Sequence, residues 1–123
     1  MSDELSRLPP NVQERLLRLQ QLQQTLQSIL AQKQQVEMEK TEVEQTIAEL
    51  QRTAEDAVIY KAIGSLMVKA EKPKVTEELV ERKELLDTRS TVLARQEERM
   101  RSQIKETQTK LQEDINPVSQ SPS

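Results

Sequence analysis

The sequence predicts a mainly α protein in which two long helices fold back on each other as an intramolecular antiparallel coiled coil joined by a β-hairpin. Three observations predict it. Apolar residues recur at alternating steps of three and four along the first half of the chain. A central stretch, Ala57–Lys74, holds the only Gly and the only Tyr and interrupts this helical spacing with β-branched and bulky residues. The two flanks of that stretch are nearly equal in length, as a fold back on itself requires.

Composition sets the bounds. A chain of 123 residues with 32% charged, 34% hydrophobic and 1% aromatic residues is expected to form one domain without an ordinary globular core. Regular hydrophobic spacing separates such a chain from a disordered one. The absence of Cys excludes disulfides and thiolate chemistry and fits a reducing cytoplasm. The absence of His removes the commonest general base and zinc ligand, so no metal site or cofactor is expected. Acidic neighbours such as Glu77-Glu78 and Glu97-Glu98 point in different directions on a helix and read as a solvated face, which argues against an enzyme. The net charge of −3, with Lys and Arg scattered among acids, offers no stripe for nucleic acid. No apolar run approaches the roughly 20 residues of a membrane span, and the first residues lack the pattern of a signal peptide.

The first helix is expected over about residues 10–56. Pro9-Pro10 can open it, because proline is tolerated in a first turn whose N–H groups have no helical partner. Its seam runs Leu19, Leu22, Leu26, Ile29, Lys33, Val36, Lys40, Val43, Ile47, Leu50, Ala54 and Ala57, and extends back through Arg15, Val12, Leu8 and Leu5. Lys33 and Lys40 are expected to snorkel from the seam and help fix register.

The hairpin is expected over about residues 57–72, turning at Gly64-Ser65. Gly at the first central position supplies the φ > 0 of a two-residue type II′ loop. That turn sets Ile63 opposite Leu66, Lys61 opposite Val68 and Ile59 opposite Ala70 on an almost wholly apolar face. Ala62/Met67, Tyr60/Lys69 and Val58/Glu71 fall on a mixed face. A lone two-stranded hairpin is marginal in water. It serves either as a local connector or as a pairing element for the hairpins of other subunits, with Val58, Ile59, Tyr60, Ile63, Gly64, Leu66, Met67 and Val68 as the oligomerisation residues.

The second helix is expected over about residues 73–116, after Lys72-Pro73-Lys74 and before Asn116-Pro117, with a disordered tail over about 117–123. Its seam is less regular: Leu79, Leu86, Leu93, Met100 and Thr107 repeat every seven residues, with Leu85, Val92, Ile104, Leu111 and Ile115 widening or continuing the stripe. With Gly64-Ser65 as centre, residues whose numbers sum to about 129 lie level, which matches Leu50 with Leu79, Val43 with Leu86 and Leu19 with Leu111. The same register sets Lys40 near Arg89, a like-charge pair relieved by snorkelling to neighbouring acids.

The segment Val58–Arg89, VIYKAIGSLMVKAEKPKVTEELVERKELLDTR, resembles the central part of archaeal prefoldin beta subunits. The resembling features are a Tyr-Lys before a Gly turn, a strand ending in Val-Lys and a charged, Leu-containing helix start. The resemblance implies an ATP-independent chaperone subunit, a holdase, in a hetero-hexamer of alpha-type and beta subunits whose hairpins assemble a β-barrel body. Coiled-coil tips then hold non-native client proteins and pass them to a group II chaperonin. The Gln-rich first helix and Pro73 depart from the family pattern. The antiparallel fold brings Leu5, Leu8, Val12, Leu16, Leu17, Leu111 and Ile115 to one tip, with Val118 beyond, more apolar side chains than a two-helix seam can bury. These are the candidate client-binding residues; the alternative is that Leu16 and Leu17 only broaden the helix stripe. A structural spacer with one folded partner is the competing function.

Overall fold

A computed structural model describes residues 7–115. It contains a first helix, α1 (Pro10–Arg52), strands β1 (Ile59–Ile63) and β2 (Leu66–Ala70), and a second helix, α2 (Lys72–Ile115). Packing divides the chain into two units: Lys33–Val92, which holds the hairpin, and the residues up to Gln32 together with those from Leu93.

In the unit that holds the helix ends, α1 opens on proline as expected. The Pro9 carbonyl accepts from the backbone N–H groups of Val12 and Gln13 at 3.0 and 3.1 Å, and Gln13 Nε2 donates to the Leu8 carbonyl at 2.7 Å. Pro10 has no N–H to leave unpaired at this position. Val12, Leu22, Leu26, Ile29 and Leu93 are buried, while Leu19, Met100, Ile104, Thr107 and Leu111 are half-buried. Arg15 Nε lies 3.0 Å from Asp114 Oδ2, which ties the start of α1 to the end of α2 and fixes the helices as antiparallel here.

In the unit Lys33–Val92, Val36, Leu50 and Leu86 are buried, and Val43, Ile47 and Leu79 are half-buried. Around this thin apolar seam the helices exchange polar contacts. Lys40 Nζ pairs with Asp87 Oδ1 at 2.8 Å, Arg82 Nη2 donates to Glu39 Oε2 at 2.9 Å, and Ser90 Oγ donates to Glu37 Oε1 at 2.9 Å. Lys40, which the expected register sets near the like-charged Arg89, thus reaches a neighbouring acid. Asp87, two residues before Arg89 and half-buried where Arg89 is exposed, takes the ammonium.

The first helix ends at Arg52, four residues short of the expected boundary. Thr53 closes it: its N–H donates to the Leu50 carbonyl at 3.1 Å and its Oγ1 to the Glu49 carbonyl at 2.9 Å. Lys72 Nζ then satisfies the Thr53 carbonyl at 2.8 Å. With its last carbonyls capped, the chain leaves the helix through a turn, so Ala54 and Ala57 are exposed and are not seam residues as the periodicity suggested. At the other junction α2 begins at Lys72, with Pro73 in its first turn and the Val75 N–H donating to the Glu71 carbonyl at 3.0 Å.

The hairpin register is the one the turn dictates: Ile59↔Ala70, Tyr60↔Lys69, Lys61↔Val68, Ala62↔Met67 and Ile63↔Leu66. Gly64 has φ +58, and no non-glycine residue among those described has positive φ. Ser65 is therefore not left-handed, which fits type II′ and excludes type I′.

Candidate functional site: the hairpin and the helix ends

Alternation along β1 and β2 places Ile59, Lys61, Ile63, Leu66, Val68 and Ala70 on one face and Tyr60, Ala62, Met67 and Lys69 on the other. Of these, only Ile59 and Ala70, at the base, are half-buried; the rest stand exposed. Leu66 is 66% exposed and Met67, on the opposite face, 67%. The face expected to be mixed thus also presents bulky apolar side chains, Tyr60 and Met67, flanked by exposed Val58. The sheet described has two strands, so each strand has one edge without a strand partner.

The hairpin and its junction with the helices are tied down by charge. Lys61 Nζ, at mid-strand, donates to Glu78 Oε2 on α2. This bond holds the Glu78 carboxyl below its ordinary value against the opposing effect of burial, with lesser help from the charges of Lys61 and Lys74. Lys72 Nζ also lies 3.3 Å from Glu55 Oε1. In the same unit, the hydrogen bond and charge of Asp87 raise the Lys40 ammonium above its ordinary value.

At the helix ends the candidate residues separate by exposure. Leu17 is 60% exposed and Ile115 55%, while Leu8, Leu16 and Leu111 are half-buried. Val12, at 2% exposure, is a seam residue and presents no apolar surface in this conformation. Leu5 and Val118 lie outside the described residues, as does the expected tail. Half-buried Leu16 broadens the helix stripe, whereas Leu17 stands exposed.

Two features escaped the sequence reading. Lys83, Ser90 and Glu97 occupy the seam positions that alternate with Leu79, Leu86, Leu93 and Met100, all of them half-buried or buried. A count by spacing alone, blind to polarity, finds them. The Lys72 and Lys61 contacts are long-range, and residue type gave no signal for them. Among the described residues no group of His, Cys, Asp or Glu could hold a metal ion, and no helix is long and apolar enough to cross a membrane.

Antiparallel helices carrying a two-stranded hairpin with free edges and apolar faces define a coiled-coil hairpin protein. A family model described as prefoldin subunit matches residues 13–117. The prefoldin subunit beta of Archaeoglobus fulgidus is 43% identical over 92% of this chain and 97% of its own length. That of Methanothrix thermoacetophila is 44% identical over 90% of this chain and 92% of its own. The crystal structure of the prefoldin beta subunit from Thermococcus strain KS-1 superposes with a TM-score of 0.80 at 38% identity, covering 93% of this chain and 96% of that one.

The chain belongs to the prefoldin subunit family. Prefoldin subunits are chaperones, not enzymes, and form oligomeric complexes with other prefoldin subunits.

Proposed function

We propose that the chain is an ATP-independent holdase subunit of the cytoplasm, acting as a single prefoldin-like domain in a hetero-hexamer with alpha-type and further beta subunits. Its hairpin joins those of its partners into a β-barrel body, with Val58, Ile59, Tyr60, Ile63, Gly64, Leu66, Met67 and Val68 at the joints. Its helix ends hold non-native proteins and deliver them to a group II chaperonin.

The observation that carries the client-binding part is apolar surface at the helix ends in excess of the seam: exposed Leu17 and Ile115 beside half-buried Leu8, Leu16 and Leu111. Each contact there is weak and sequence-tolerant, as a holdase needs. Several such ends on one body turn weak contacts into avidity. Val12 contributes by keeping the ends paired, and joins the client surface only where the last turns fray.

The test is dilution of a denatured protein into nucleotide-free buffer with the complex of this chain and an alpha-type subunit, followed by light scattering. Intact complex suppresses aggregation; complex carrying Leu17→Ser and Ile115→Ser, or trimmed to residues 17–110, suppresses it less. A verified complex that suppresses nothing transfers the chain to the class of structural spacers with one folded partner.

A further inference from the structure

Two long-range lysine contacts lie around the hairpin, and they differ in kind: one joins the ends of the helices, the other joins a strand to α2. Lys72 is mostly buried and caps the end of α1 through the Thr53 carbonyl, so it belongs to the junction itself. Lys61 reaches from the middle of β1 to Glu78 on α2, seventeen residues away in sequence. A shallow groove lined in part by Lys61, Val68, Ala70, Lys74, Val75 and Glu78 lies between the hairpin and the first turns of α2. Ile59 and Ala70 at the base are half-buried, whereas Ile63 and Leu66 at the turn stand free. The ion pair therefore holds one face of the hairpin towards α2 at mid-strand and leaves Tyr60 and Met67 of the opposite face open.

Packing alone leaves the hairpin's angle loosely determined, because its strands bury little against the helices and a two-stranded ribbon is marginal by itself. A charge-assisted hydrogen bond at mid-strand acts on a longer lever than any contact at the base. We propose that Lys61 and Glu78 form an assembly latch, a positioning contact that sets the hairpin against α2 and so determines the orientation in which partner subunits receive its edges. The inference rests on the assembly reading above. Both side chains are partly exposed, so salt weakens the latch, and assembly of this subunit is correspondingly salt-sensitive.

The experiment is a double-mutant cycle on the full-length chain mixed with an alpha-type prefoldin subunit, read by sedimentation velocity over a concentration series at low and high sodium chloride. Lys61→Met and Glu78→Gln should each weaken assembly at low salt by about two- to fivefold. The double variant should lose no more than either single, and high salt should bring the unaltered chain towards the variants. Additive losses, or single variants that assemble as tightly as the unaltered chain, overturn the latch while leaving the assembly reading intact. An unaltered chain that does not assemble overturns the assembly reading, and the latch falls with it. In the isolated chain the single tyrosine supplies a second readout. Tyr60 fluorescence anisotropy should fall in Lys61→Met with helicity by circular dichroism unchanged, and equal anisotropy refutes the latch.

Discussion

Leu85 and Leu86 are adjacent, chemically identical and oppositely placed, which makes them a stringent test of the helix pairing. Leu86 is 0% exposed on the seam of the unit Lys33–Val92, and Leu85 is 51% exposed on its outer side. Replacing Leu86 with Ala removes a fully buried isobutyl group. Large-to-small changes of this kind cost about 2–5 kcal/mol, growing with the cavity left behind. A two-helix seam has only one layer of side chains on each side and collapses more readily than a globular core, so the lower end, about 2–3 kcal/mol, applies. Leu85→Ala should cost within about 0.5 kcal/mol, because an exposed leucine loses little on truncation and Ala is the better helix former. The measurement is urea unfolding of the isolated full-length chain followed by circular dichroism, with the midpoints compared at unchanged slope. Equal losses at the two positions, or a larger loss at Leu85, would refute the seam and with it the heptad frame of α2.

Gly64→Ala should raise hydrogen exchange of the hairpin amides about fivefold while leaving the helices unaffected. Nothing lies within 4 Å of the added methyl, so the cost of about 1 kcal/mol is purely that of a left-handed φ. The Glu78 carboxyl, depressed by Lys61, should contribute stability that is fully present above its ordinary 4.5 and lost as pH falls through its lower folded value. NMR titration should place its midpoint below 4.5, and Lys61→Met should return it there. Lys40, raised by Asp87, has the opposite sign: its contribution is fully present below 10.5 and lost as pH rises through a higher folded value. Asp87→Asn should bring that midpoint down, which alkaline titration of the Lys40 side-chain nitrogen by NMR would detect.

The elements legible in the sequence are those governed by local rules. Gly64 is the only glycine, and its two-residue loop determined every pair from Ile59↔Ala70 to Ile63↔Leu66. The seam of α1 was equally readable where leucine, isoleucine and valine follow the alternating step. What escaped depends on partners distant in sequence. No Gly or Pro near Thr53 signals a helix end, and the Thr53 carbonyl finds its partner in Lys72, nineteen residues on. Nothing around Lys61 shows that its partner is Glu78 rather than another acid. At the helix ends the heptad step placed Val12 in the seam and Leu17 beside it, where they are found; counting apolar residues near the tip, which grouped the two as one surface, did not separate them.

The polar seam positions carry the last step of the argument. Near the hairpin, a thin apolar layer of Val36, Leu50 and Leu86 is accompanied by Lys40–Asp87, Arg82–Glu39 and Ser90–Glu37. Exposed contacts of this kind add little stability, but they discriminate between registers, because a one-heptad slip would separate each donor from its acceptor. Apolar side chains repeating every seven residues tolerate that slip; the polar pairs do not. Register in turn determines whether Lys72 meets Thr53, and so where the strands leave the helices. The polar residues that roughen the α2 seam thus place the hairpin, at the expense of seam stability, and a chain whose strands must meet other subunits in one orientation has more use for that placement than for a tighter coil.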